Sequence, residues 1–244
     1  MSVRSSSVPV SKPGLAVGTL RRALLGAVLL FPLAGVIHAY TVTLDPDAPQ
    51  TIYLQVGVGS FTADYCGGTT YPPTHSTPAC GPQYGGGTPQ KNTTVNTVSV
   101  TLTTAAVGNK TAQAMTTNST AGSSFLDGYA FCNVPSQLYV GGFFRTSGAN
   151  TAAATITATV PAALTDAAGD GIPFSQIQWT TSGNGDTGAE PFTAGTFVSG
   201  GVQTVGTMAS NSWAESCWTF SYLNTLVPAA GTYTGAVLYT LSAP

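Results

Sequence analysis

Thr155-Ile156-Thr157-Ala158-Thr159-Val160 alternates β-branched polar residues with apolar ones at a strict period of two. A side chain every second residue points to the same side of a strand, so this run reads as a half-buried antiparallel strand with threonines on one pleat. The same pattern recurs on both sides of it. Ile52, Leu54, Val56 and Val58 alternate with Thr51, Tyr53, Gln55 and Gly57. Val98, Val100 and Leu102 alternate with Ser99, Thr101 and Thr103, and Tyr233, Gly235, Val237, Tyr239 and Leu241 share one face near the end. Further strands are expected over 136–145, 174–181, 192–206 and 212–222. No window carries a capped amphipathic helix. About eight to ten short strands parted by Gly, Pro, Asn and Asp turns predict an all-β sandwich or barrel.

Composition narrows the function classes. The 244-residue chain is 43% hydrophobic but only 7% charged, against about 25% in an ordinary soluble domain. Lys and Arg number 7, and Arg4, Lys12, Arg21 and Arg22 all precede residue 40. The remainder holds Lys91, Lys110 and Arg145 against all nine acidic residues, a net charge of 3 − 9 = −6. Nucleic-acid binding needs a basic patch, which this balance excludes. Charge-laced coiled coils are excluded by the same shortage.

The N-terminus reads as an address. Arg21-Arg22 precede the apolar run 23–37, which ends in His38-Ala39. A basic start, a short apolar stretch containing Pro32 and a small residue at its end describe a secretory signal peptide over 1–39. The run is shorter than the roughly 20 residues of a membrane span. The expected product is a single domain over 40–244 with no membrane span, secreted or displayed at the cell surface, with the periplasm as a further destination.

Export sets how the four cysteines read. An even number in an oxidising compartment predicts disulfides. Cys66 and Cys80 bracket one loop, and their pairing leaves Cys132 with Cys217 as a long-range staple. Zinc would want closely spaced Cys or Cys with His; no such spacing occurs, and no metal or other cofactor is expected. The loop itself, 62–92, holds 11 Gly or Pro in 31 positions, a density that no regular element survives. It is expected to be a long insert pinned by Cys66–Cys80, with Tyr65, Tyr71, Tyr84 and His75 as a candidate recognition surface.

Catalytic machinery is hard to assemble from what remains. A Ser–His–Asp relay would have to use His75, inside the Gly/Pro-rich loop, and there is no G-x-S-x-G elbow. Paired carboxylates could hydrolyse glycosides, from among Asp127, Asp166, Asp170, Asp186, Glu190 and Glu215. Glu215 lies in Trp213-Ala-Glu-Ser-Cys-Trp218, where aromatic neighbours could favour a general acid. The competing reading places it on the polar side of its strand, with Trp213 and Cys217 and opposite Trp218, Phe220 and Tyr222. Asp166-Ala-Ala-Gly-Asp170-Gly171 and Asn184-Gly-Asp186 read as turns before they read as cation loops. Trp213 and Trp218, with Trp179, are candidate sugar-stacking residues, against the more usual fate of Trp as sandwich core. Three sequons, at Asn92, Asn109 and Asn118, matter only in a host that glycosylates.

The closing run Gly231-Thr-Tyr-Thr-Gly-Ala-Val-Leu-Tyr-Thr-Leu241 resembles the last strand of spore coat protein U-type and other pilin-like surface subunits, and the exported part is similar to exported proteins of Gram-negative bacteria. That resemblance implies an immunoglobulin-like antiparallel sandwich without catalytic residues, and Thr41-Val-Thr-Leu44 is the candidate for a donated strand or for the domain's own first strand. The expectation is a non-enzymatic structural or adhesive protein that associates through strand edges or binds an extracellular glycan or protein. The alternatives are a carbohydrate-binding module using Trp213, Trp218 or the loop tyrosines, and a hydrolase using Glu215 with Asp186 or Glu190.

Overall fold

The computed structural model describes residues 41–43, 51–59, 61–62, 88–89, 92–122, 131–146, 152–184 and 190–244. The expected signal peptide, most of the 62–92 insert and the Cys66–Cys80 pair lie outside these residues. Residues Val36–Pro244 form one compact unit. The strands in chain order are β1 (Thr41–Thr43), β2 (Thr51–Val56), β3 (Phe61–Thr62), β4 (Thr88–Pro89), β5 (Val98–Ser99), β6 (Gln113–Ala114), β7 (Thr116–Thr117) and β8 (Leu138–Arg145). They continue with β9 (Ala154–Val160), β10 (Ala163–Thr165), β11 (Gly171–Pro173), β12 (Ile177–Ser182), β13 (Gly195–Thr196), β14 (Gly201–Met208), β15 (Ser212–Tyr222) and β16 (Leu238–Ser242). Among the described residues, beyond seven strands of five or more residues, nine have only two or three. Gly, Pro and Asn interrupt the ladder often enough to split what sequence alone counts as fewer, longer strands.

The protein is all-β and antiparallel. The larger sheet has the order β13-β12-β15-β8-β2, with β1 and β6 also paired to β15. The smaller sheet is β14-β9-β16. β15 organises the molecule. Its first half pairs with β8 on one side, from Ser212↔Phe144 to Ser216↔Val140, and with β1 on the other. Its second half pairs with β12, from Cys217↔Ser182 to Tyr222↔Ile177. Thr41–Thr43 therefore acts as a strand of its own domain, with Val42 opposite Trp213.

The two sheets pack face to face over one apolar core, the arrangement of a β-sandwich. Ala154, Ile156, Ala158 and Val160 of β9 point inward and are buried, as the alternation requires. They meet Leu138, Val140 and Phe144 of β8 and Ala214, Trp218, Phe220 and Tyr222 of β15. Trp218 is stacked on Trp179 of β12 with centroids 5.4 Å apart, and its edge meets Tyr239 of β16 at 5.9 Å. The aromatic stack thus bridges the sheets. Leu54, Val56, Val98, Val100 and Leu102 pack against this core, so the period-two reading around residue 100 holds even where only Val98–Ser99 is hydrogen-bonded as strand, to Thr116–Thr117. β14 carries a bulge between Thr204 and Gly206, where it pairs with Thr157 and Ile156.

Asp166–Asp170 is a turn, as its composition suggested. Asp166 Oδ1 accepts from the N–H of Ala168 (3.0 Å) and Asp170 (2.8 Å) and closes the β10–β11 hairpin. Gly169 has φ +92°, which a side chain would oppose.

Candidate functional site

The second face of the larger sheet is also buried, and it is built from different chemistry. Along β8 the residues alternate: Leu138, Val140, Gly142 and Phe144 face the sandwich core, while Tyr139, Gly141, Phe143 and Arg145 face the other way. Trp213, Glu215 and Cys217 of β15 and Tyr53 and Gln55 of β2 share that second face. Tyr53, Phe143 and Trp213 form a ring cluster with centroids 5.6–6.0 Å apart. The Arg145 guanidinium, 1% exposed, sits 5.4 Å from the Phe143 ring centroid, a cation–π distance.

Glu215 is at the centre. It is 2% exposed, and its Oε2 accepts from the Tyr139 hydroxyl at 2.7 Å and from Trp213 Nε1 at 3.2 Å. Burying a carboxylate is tolerable only with such donors. Gly141 of β8 makes the contact possible. Gly141 pairs directly with Glu215, and a Cβ at Gly141 would run into the Tyr139 hydroxyl. On the same face Tyr53 donates to Gln55 Oε1 (3.1 Å), and Gln55 Nε2 donates to the Gly57 carbonyl (2.9 Å).

The expected Cys132–Cys217 bridge is present, with Cα atoms 5.4 Å apart across a sequence separation of 85. It is buried with Phe131 and Tyr139. Asn184 locks the neighbouring loop. Its Nδ2 donates to the Phe131 carbonyl (2.5 Å) and to Gln137 Oε1 (2.8 Å), and its φ of +51° marks a turn.

The sequence candidates separate sharply in the fold. Trp213 and Trp218 are both 0% exposed, so neither presents a face to a sugar from solvent; they are core residues of opposite faces of one strand. Trp179 is buried too, its Nε1 donating to the Thr193 carbonyl (2.9 Å). Glu215 does share a side with Trp213 and Cys217, as period two demands, but that side is interior rather than solvated. Glu190 is half-buried, and desolvation raises its carboxyl above the usual range. Asp127, Asp186, Tyr65, Tyr71, Tyr84, His75, Cys66 and Cys80 lie outside the described residues. Asn92, Asn109 and Asn118 are exposed; Asn92 and Asn109 each accept from the N–H two residues on, and Asn118 Oδ1 accepts from Thr97 N. Among the described residues no cluster of three His, Cys, Asp or Glu could hold a metal, and no helix is long and apolar enough to cross a membrane. Gln55, Tyr139 and Arg145 were not singled out by sequence. The available signal was a Glu placed between two Trp residues at i−2 and i+3, across from a Gly-Gly pair.

Among the described residues an open groove of about 340 Å3 lies between the edge strands of the two sheets. It is lined by β2 residues, Asn92, Thr94, and Leu238 and Tyr239 of β16. None of its lining residues is charged. Ile52, beside it, is 46% exposed and Leu238 is 65% exposed.

No family model matches the chain, and no match to it was found among curated proteins or solved structures.

Proposed function

We propose that the chain is an exported, non-enzymatic immunoglobulin-like sandwich that works at the cell surface as a structural or adhesive subunit. The observation that carries this reading is the way Glu215 is used. The carboxylate with the most suggestive sequence context is sealed under Tyr139 and Trp213 and holds two sheet strands together. A general acid needs access to the bond it protonates, and this one is committed to internal donors. The open groove, by contrast, is uncharged and follows a strand edge, the surface through which sandwiches take up a further strand. The run at 21–39 supports export, and the low charge supports association over free solubility.

The test is localisation together with adhesion. An antibody against the folded domain should label intact producing cells or the culture medium, and the purified oxidised protein should bind cells or matrix. A cytoplasmic pool alone would overturn the reading. So would turnover of glycoside substrates that is lost in Glu215→Gln.

A further inference from the structure

We infer that the β2 edge is a self-association surface, and that its partner is β2 of a second copy, added antiparallel. This rests on the surface-assembly reading above and gives it an address. In the β2–β8 pair, Gly57 N donates to the Tyr139 carbonyl at 2.7 Å. Residue 57 is therefore a hydrogen-bonded position. The alternation of an antiparallel ladder then directs the backbone groups of Thr51, Tyr53 and Gln55 to β8. Those of Ile52, Leu54 and Val56 point outward. The Val56 carbonyl accepts from Asn96 Nδ2 at 3.3 Å. Ile52 and Leu54 have no hydrogen bond on the outward side among the described residues.

Two of the other edges are guarded in ways β2 is not; β16, the far edge of the smaller sheet, is uncharged like β2 but one residue shorter. β13 has only two residues. β14 is bulged and bridged by Phe192 to Gly206. β2 is six residues, Thr-Ile-Tyr-Leu-Gln-Val, with no charge, no Pro and no Gly. That is the composition natural edges avoid when they are to stay alone.

The segment is also self-complementary. A two-fold axis at Tyr53 puts Ile52 opposite Leu54 of the second copy and Leu54 opposite its Ile52. Both are outward hydrogen-bonding positions, so two narrow pairs form and the larger sheets run on into one another. The register does not need the Val56 carbonyl. It places apolar side chains together on the face beside Leu238, and neither strand nor groove brings charge to oppose its own copy. A peptide of another sequence could use the same backbone groups, but the match of β2 to itself favours a second copy.

Sedimentation velocity of the oxidised protein over a concentration series tests this. Wild type is expected to shift from monomer to dimer; a monomer at every concentration overturns the inference. Ile52→Pro removes the outward N–H where an edge strand tolerates proline and keeps the β8-facing ladder. It should weaken association at least about tenfold, the worth of a lost hydrogen bond or so. Ile52→Lys, which places a charge on the edge with no backbone change, should do the same, and Ile52→Val should match wild type. Association as tight as wild type in the Pro and Lys variants overturns the inference, as does its loss in the Val variant. A strict monomer that still binds cells defeats this edge and leaves the surface role intact; a dimer absent from surface and medium does the reverse.

Discussion

The two faces of β15 solve the same burial problem by different means. The face carrying Ala214, Trp218, Phe220 and Tyr222 is apolar apart from Ser216, and many neighbours share each contact. Trp218 alone meets the rings of Trp179, Phe192, Phe220 and Tyr239. The face carrying Trp213, Glu215 and Cys217 depends on individually placed links: one disulfide, one carboxylate between two ring donors, and one guanidinium over a ring. Dispersion and burial are non-directional and degrade gradually. Hydrogen-bonded charge in a dry setting fails abruptly when one partner is removed. The first face should therefore tolerate volume-conserving changes that the second does not.

The largest expected effect is on the second face. Replacing both Cys132 and Cys217 by Ala frees a loop of 85 residues and should cost about 4–5 kcal/mol by the chain-entropy relation. Denaturant melts of the oxidised wild type and the double variant read it directly. A loss under 1 kcal/mol would mean that the polar network alone holds this face. On the first face, Trp218→Ala should cost about 3–5 kcal/mol, and Trp218→Phe much less because its neighbours can close in. If the Phe variant is as damaging as the Ala variant, the contrast drawn between the faces is wrong. Removing Glu215 comes next. Glu215→Met keeps the volume but strands the Tyr139 hydroxyl and Trp213 Nε1, for about 2–4 kcal/mol; Glu215→Gln retains an acceptor oxygen and should recover about half. A Glu215→Met protein as stable as wild type would remove the carboxylate from its structural role.

Which of this was legible in the sequence follows from what alternation encodes. Period two located β9 and β12 closely, because a strand half in water writes its geometry into residue type, and β15, buried on both faces, was marked by its aromatic residues instead. It also placed Glu215 correctly with Trp213 and Cys217. It could not say that this side is interior, since Thr, Ser, Glu and Gln on a strand look alike whether water or a ring donor satisfies them. Tyr53 and Gln55 show the same ambiguity: they face a buried polar layer, and the apolar Ile52 on the other side is nearly half exposed. The long-range Cys132–Cys217 pairing was legible by elimination, given Cys66 and Cys80 in one loop. The burial of Trp213 and Trp218 was the ordinary expectation for a sandwich, and the sugar-stacking idea needed an exposure that a sequence does not record. Strand edges were out of reach altogether, because edge position is a property of sheet order.

The finest test of the comparison lies in the two glycines of β8. Both sit in the same strand, but Gly141 faces the polar layer and Gly142 the apolar core. A Cβ on Gly141 would meet the Tyr139 hydroxyl and the ring behind it, a side chain; a Cβ on Gly142 would meet the Tyr53 carbonyl, which is backbone of the paired strand. Gly141→Ala should therefore cost only about 1–3 kcal/mol of overpacking, and it should do so by displacing Tyr139 from Glu215. Combining Gly141→Ala with Tyr139→Phe checks that route: Phe lacks the hydroxyl, the atom nearest the new Cβ and the one bonded to Glu215, so the two changes should be less than additive by at least about 0.5 kcal/mol. Additive losses would mean that Gly141 is required for the backbone of β8 itself, and that the Tyr139–Glu215 bond owes nothing to the glycine opposite the carboxylate.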